Sequence, residues 1–186
     1  MKYKIVFSIL ILIFCLRSIG HASDKEASHK ARVVIPEVAM LALQYDANSN
    51  LQFAANVSNT AGDQIKLNSV DQSSVWLNYS SVVSPNQKRK VTATVLGDIP
   101  NGIVLKVKTQ ESSPGVGEIG TGNGTVLLSN SPADIISGIG SCYTGSGAQK
   151  GQQLLYEMEV NNQQFYNNEE IHDISLSVVY TLTDDN

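Results

Sequence analysis

The chain has 186 residues, with 13 Lys+Arg against 17 Asp+Glu and a formal net charge of −4. Without residues 1–22, which hold Lys2, Lys4 and Arg17, ten basic side chains face 17 acidic ones and the charge becomes −7. An acidic chain with no basic block excludes a nucleic-acid binder, and the 164 residues after position 22 fit one domain with a core that needs no staples.

Residues 1–22 read as a secretory signal peptide. Lys2 and Lys4 form a positive start, Ile5 to Leu16 is an apolar run, and Gly20-His21-Ala22 supplies the small residues a signal peptidase needs. The run is shorter than the ~20 residues of an easy membrane span, so an uncleaved anchor fits less well. A lipoprotein cut before Cys15 also fits less well, because bulky Phe14 precedes it. The mature protein is therefore expected to be exported to the periplasm, cell surface or exterior, with no membrane span after cleavage. Residues 23–32 are polar and charged and read as a flexible arm.

From Val33 the pattern changes. Val33 to Leu43 is apolar-rich and broken by Pro36, which removes a ladder donor and predicts an edge strand or a kink. Period-two alternation then recurs. It covers Leu51–Val57, Ile65–Leu67, Val91–Val95, Ile103–Val107, Leu154–Val160 and Ile174–Leu182, with further strands expected at Ser74–Val83 and Gly124–Ser129. Asn48-Ser49-Asn50, Ala61-Gly62-Asp63, Ser84-Pro85-Asn86, Pro100-Asn101-Gly102 and Asn161-Asn162 carry turn chemistry. Residues 131–139 fit a helical turn capped by Ser131 or a strand equally well. Short strands separated by turns predict an all-β fold. The expectation is a single immunoglobulin-like antiparallel sandwich of about 7–9 strands over residues 33–186.

The candidate chemistry is thin. Gly115-Val116-Gly117-Glu118-Ile119-Gly120 matches a dinucleotide fingerprint but leads into a strand, with no helix to hold a pyrophosphate. Gly140 to Gly145 has phosphate-loop spacing, but Ser146 stands where Lys is required. Cys142 with His172 and Asp173 would make a thiol site by residue type alone; burial is the simpler expectation for this single mature cysteine, and pairing with another chain the alternative. His29 and His172 lack ligand spacing, and the acidic pairs Glu169-Glu170 and Asp184-Asp185 lack a calcium-loop frame. Lys88-Arg89-Lys90 reads as a solvated strand start. Asn56, Asn78 and Asn123 begin glycosylation sequons. Trp76 and Tyr79 are candidates for stacking on a sugar, although one Trp on an alternating strand also suits a core. No catalytic, cofactor-binding or metal-ligating residue is assigned.

Three stretches carry a resemblance: Trp76–Val83 followed by Lys88–Val95, Asp134–Gly145, and Val178–Asp184. With the Ile35-Pro36-Glu37-Val38-Ala39 start, the chain resembles a group of uncharacterised secreted β-sandwich proteins of Bacteroidetes-type bacteria, a resemblance that implies export and no catalytic residue. The layout is also loosely similar to chaperone-assembled pilin subunits, in which an N-terminal extension completes a neighbour's sheet. Those carry a paired cysteine and a Tyr next to the C-terminus, whereas here the thiol is single and Tyr180 stands six residues from the end. The resemblance makes Val33, Ile35, Val38 and Met40 candidate donor-strand residues. It implies protein partners, by self-association or with an assembly chaperone. The expected function is a non-enzymatic structural or adhesive surface subunit, with a binding module for a glycan or an envelope protein as the alternative.

Overall fold

Alternating apolar residues fold here into two antiparallel sheets that face each other. The computed structural model describes residues 28–45, 55–56, 60–63, 66–67, 70–71, 75–113, 115–166 and 175–185. The chain divides into residues 1–35 and 36–186. Of the first unit, residues 28–35 are described; they have no regular structure and are exposed. The signal peptide, residues 23–27 of the polar arm, Glu169, Glu170, His172 and Asp173 lie outside the described residues.

Seven strands of seven residues or more carry the second unit. They are β1 (Val38–Tyr45), β5 (Val75–Val82), β6 (Arg89–Leu96), β7 (Ile103–Ser113), β11 (Ala133–Ile139), β13 (Gly151–Val160) and β14 (Ser177–Asp184). Seven short ones accompany them: β2 (Ala55–Asn56), β3 (Lys66–Leu67), β4 (Val70–Asp71), β8 (Val116–Gly117), β9 (Thr121–Gly122), β10 (Thr125–Leu127) and β12 (Cys142–Tyr143). The larger sheet runs β10-β7-β13-β5-β12-β8, with β1 on the other edge of β5 and β4 beside β13. The smaller runs β14-β6-β11-β9, and β2 pairs β3 separately.

The expected all-β sandwich is the observed fold. Its long strands split four and three between the sheets, as in a constant-type immunoglobulin domain. That domain places its first, second, fourth and fifth strands in one sheet. Here the first, second, fourth and sixth share a sheet, so the fifth and sixth exchange places.

The alternation decides which side chains meet between the sheets. Leu77 and Tyr79 of β5, Leu105 and Val107 of β7, and Leu154 and Tyr156 of β13 point inward from one sheet. Val91, Ala93 and Val95 of β6 answer from the other, with Ile135, Ile136 and Ile139 of β11. Each buried side chain of this size contributes about 1.5–3 kcal/mol. Of residues 131–139, which suited helix and strand alike, Ala133–Ile139 settle as β11. Its register against β6 shifts between Asp134 and Ile136 and again before Ile139, so two consecutive isoleucines are buried. A bulge of this kind breaks strict alternation.

Two expectations need correction. The strand expected from Val33 begins at Val38, two residues after Pro36. The Asn161-Asn162 turn opens a five-residue helix, α1 (Asn162–Tyr166), whose Phe165 amide donates to the Asn161 carbonyl at 2.8 Å.

Candidate functional site

β1 is the feature the sandwich leaves open. Its eight residues, VAMLALQY, carry no charge, no Pro and no Gly. All eight pair in antiparallel register with β5, from Val38 opposite Val82 to Tyr45 opposite Val75. This is the strand's one ladder among the described residues, none of which pairs with its outer edge. β14, the end strand of the smaller sheet, is likewise eight residues long and ladders to β6 alone among the described residues. The remaining sheet ends, β8, β9 and β10, are two or three residues long. Short end strands are one way a sandwich blunts its edges against unwanted pairing; β1 and β14 do not use it.

Arg89 ties these two strands together. The sequence reading placed it in a solvated triplet, but it is only 7% exposed. Its parity explains this: Val91, Ala93 and Val95 face inward on β6, so Arg89 does too. Its Nη1 donates to the carbonyls of Val38 and Val82 (3.3 Å for the latter) and to Ser81 Oγ at 3.2 Å. Nε donates to Asp184 Oδ1 at 3.3 Å, and Nη2 stands 3.6 Å from Glu37 Oε2. One guanidinium thus holds the start of β1, the end of β5 and the end of β14. Its two neighbours are half-buried and each holds an ion pair. Lys88 pairs with Glu118, and Lys90 lies 3.0 Å from Asp134 and 3.8 Å from Asp185. Asp184 and Asp185 therefore serve these basic partners. Among the described residues, no group of three or more His, Cys, Asp or Glu is placed to hold a metal ion.

The candidate donor residues divide. Val33 and Ile35 lie in the exposed first unit, 82% and 72% exposed. Val38 and Met40 lie on the face of β1 turned away from the core, while Leu41 and Leu43 pack against it. Val38 and Met40 have the opposite parity to Leu41 and Leu43, so they take the outer face of β1.

The candidate stacking pair does not form a platform. Trp76 and Tyr79 are three apart on β5, so they point to opposite faces, and both are buried. Tyr79 lies in the core and its hydroxyl donates to the Ile119 carbonyl at 2.5 Å. Burial raises its pKa well above the ordinary phenol range, with the Cys142 charge adding to the effect. Burial likewise raises the Cys142 thiol, against a backbone hydrogen bond at Ser81 that lowers it. Cys142 is free and buried, the outcome the sequence favoured. Tyr180 is raised by burial and by Tyr156, whose hydroxyl it meets across the two sheets.

Register reveals a row the sequence reading missed. Met40 on β1 stands opposite Ser80 on β5, Ser80 opposite Tyr143 on β12, and Tyr143 opposite Val116 on β8. Directly paired residues share a face, so these four form one line across four strands. Met40 is 65% exposed, Tyr143 54% and Val116 57%. The strand spacing makes the line about 14 Å long. Exposed Tyr143 and Val116, interrupted by glycines, give no alternation to read; only the pairing aligns them.

The remaining motifs resolve as structure. The Gly115–Gly120 stretch contains β8 and leads into β9. The Asn78 side chain is buried, donating to the Lys150 carbonyl and accepting from the Gly147 amide. The Asn123 amide donates to the Asp134 carbonyl at 3.0 Å and to Ser137 Oγ at 2.9 Å. No helix among the described residues is long and apolar enough to cross a membrane.

What the geometry defines is an antiparallel β-sandwich with two long edge strands, each with one unpaired side among the described residues, joined by a buried arginine. No known protein family matches the chain, and no curated protein or solved structure does.

Proposed function

We propose that this protein is an exported, non-enzymatic structural or adhesive subunit that associates with further copies by strand addition through its N-terminal region. The observation that supports the reading is the pair of long edge strands, β1 and β14, each unpaired on one side among the described residues, in a chain whose apolar segment 33–35 is exposed. Backbone donors and acceptors along a free edge supply affinity to an added strand, and alternate side chains supply register. A mature charge of −7 keeps such a subunit soluble before assembly.

The test is the state of the purified mature protein. Light scattering after size exclusion should find oligomers, and gels under mild denaturant should show ladders. Deleting residues 23–35, which leaves β1 in place, should abolish both. Deleting residues 33–43 should also abolish them, but it removes Leu41 and Leu43 from the core, so the shorter deletion is the cleaner variant. A full-length protein that stays monomeric at high concentration would refute the proposal.

A second reading, a module that binds a glycan or an envelope protein, is favoured by the Met40–Ser80–Tyr143–Val116 row. A Tyr143→Ala variant that loses a partner found by glycan array or pull-down would support it. A screen with no partner for the parent protein would count against it.

A further inference from the structure

We infer that residues 30–35 of a second copy add as an antiparallel strand to the edge of β14 that is unpaired among the described residues. This rests on the strand-addition reading above and names the acceptor.

The two partners match in polarity. The segment reads Lys30-Ala31-Arg32-Val33-Val34-Ile35, basic at its start and apolar at its end. β14 with the residue after it reads Ser177-Val178-Val179-Tyr180-Thr181-Leu182-Thr183-Asp184-Asp185, apolar at its start and acidic at its end. Antiparallel pairing sets basic against acidic and apolar against apolar. With Lys30 opposite Asp185, Val33 stands opposite Leu182 and Ile35 opposite Tyr180. Leu182 and Tyr180 are half-buried residues at the rim of the core, and Val33 and Ile35 would cover their outer sides. Val34, 69% exposed, then stands opposite exposed Thr181 on the solvent face. Proline is absent from 30–35, so every backbone amide is present.

The same geometry rules out a chain serving its own edge in this way. That register would place Glu37 opposite Val178. Glu37 instead stands beside Arg89, which pairs directly with Asp184 at the far end of β14. The segment must therefore come from another copy. The contact joins two different surfaces, so it propagates as an open chain of subunits and does not close as a two-fold dimer.

Disulfide trapping tests the acceptor. Val34→Cys and Thr181→Cys are made in separate proteins carrying tags of different mass, mixed, and oxidised mildly. Directly opposed strand positions lie within disulfide reach. The expected result is a mixed disulfide at least about tenfold more abundant than that of Val34→Cys with Ser177→Cys, which lies four residues down the strand and beyond reach. Adding Lys30→Glu and Arg32→Glu should cut the yield at low salt. Assembled protein without the 34–181 disulfide, or with the 34–177 disulfide equal to it, would overturn the β14 assignment and leave strand addition standing. Absence of any assembly in the parent would overturn both.

Discussion

Replacing Arg89 with alanine tests the central contact of the sandwich. The side chain supplies a charged donor to the Val38 and Val82 carbonyls and to Ser81 Oγ, which is fully buried. Hydrogen bonds from a charged group contribute about 1.5–3 kcal/mol each, but water replaces part of this wherever it can reach the partner. Asp184 and Glu37 are largely exposed, at 69% and 57% of their side-chain surface, so their pairing adds about 0–1 kcal/mol. The expected loss is about 3 kcal/mol, centred on the two carbonyls and the buried hydroxyl. For a domain of this size that lowers Tm by about 6–12 °C. Urea unfolding followed by the fluorescence of Trp76, the one tryptophan, measures it directly. Arg89→Lys keeps the charge and loses the planar fork, so its loss should be intermediate. Amide exchange in β1 should rise in both variants, because the start of the strand is released. An Arg89→Ala protein within about 0.5 kcal/mol of the parent would refute the assignment, since that is the range of an ordinary surface substitution.

Two further outcomes follow from burial and backbone geometry. Cys142, Tyr79 and Tyr180 all have pKa values raised by burial. Once pH passes their ordinary values, the unfolded chain loses protons that the folded one retains, so stability should hold at neutral pH and fall as pH rises above about 9. A urea midpoint unchanged between pH 7 and pH 11 would contradict this, as would rapid reaction of Cys142 with a thiol reagent in the native protein. Gly117→Ala and Gly138→Ala separate backbone strain from steric conflict. Both glycines have positive φ, 89° and 73°. A Cβ at Gly138 meets open space, whereas one at Gly117 would stand 2.2 Å from the Ser141 carbonyl oxygen. Gly138→Ala should cost about 1–2 kcal/mol and Gly117→Ala clearly more in the same unfolding experiment; equal losses would refute the close approach of β8 to β12.

The sequence by itself determined the fold class and most strand positions, and favoured burial for Cys142. Period two is a local signal, carried within each strand, so Leu154–Val160 and Ile103–Val107 announce their inward faces without any partner. The same parity made Arg89 an inward residue, but its charge invited a solvated reading. Its burial depends on acceptors from β1, β5 and β14, which only folding assembles. Residues 131–139 were ambiguous for a related reason: the bulge that buries both Ile135 and Ile136 erases the alternation a strand would show. The register against β5 likewise decided the faces of β1, with Leu41 and Leu43 inside and Val38 and Met40 outside. The tertiary structure decided which strands share a sheet, and with that the Met40–Ser80–Tyr143–Val116 row and the place of β1 and β14 at sheet edges. Those are relations between residues up to about a hundred positions apart, set by pairing and register, and no local pattern encodes them.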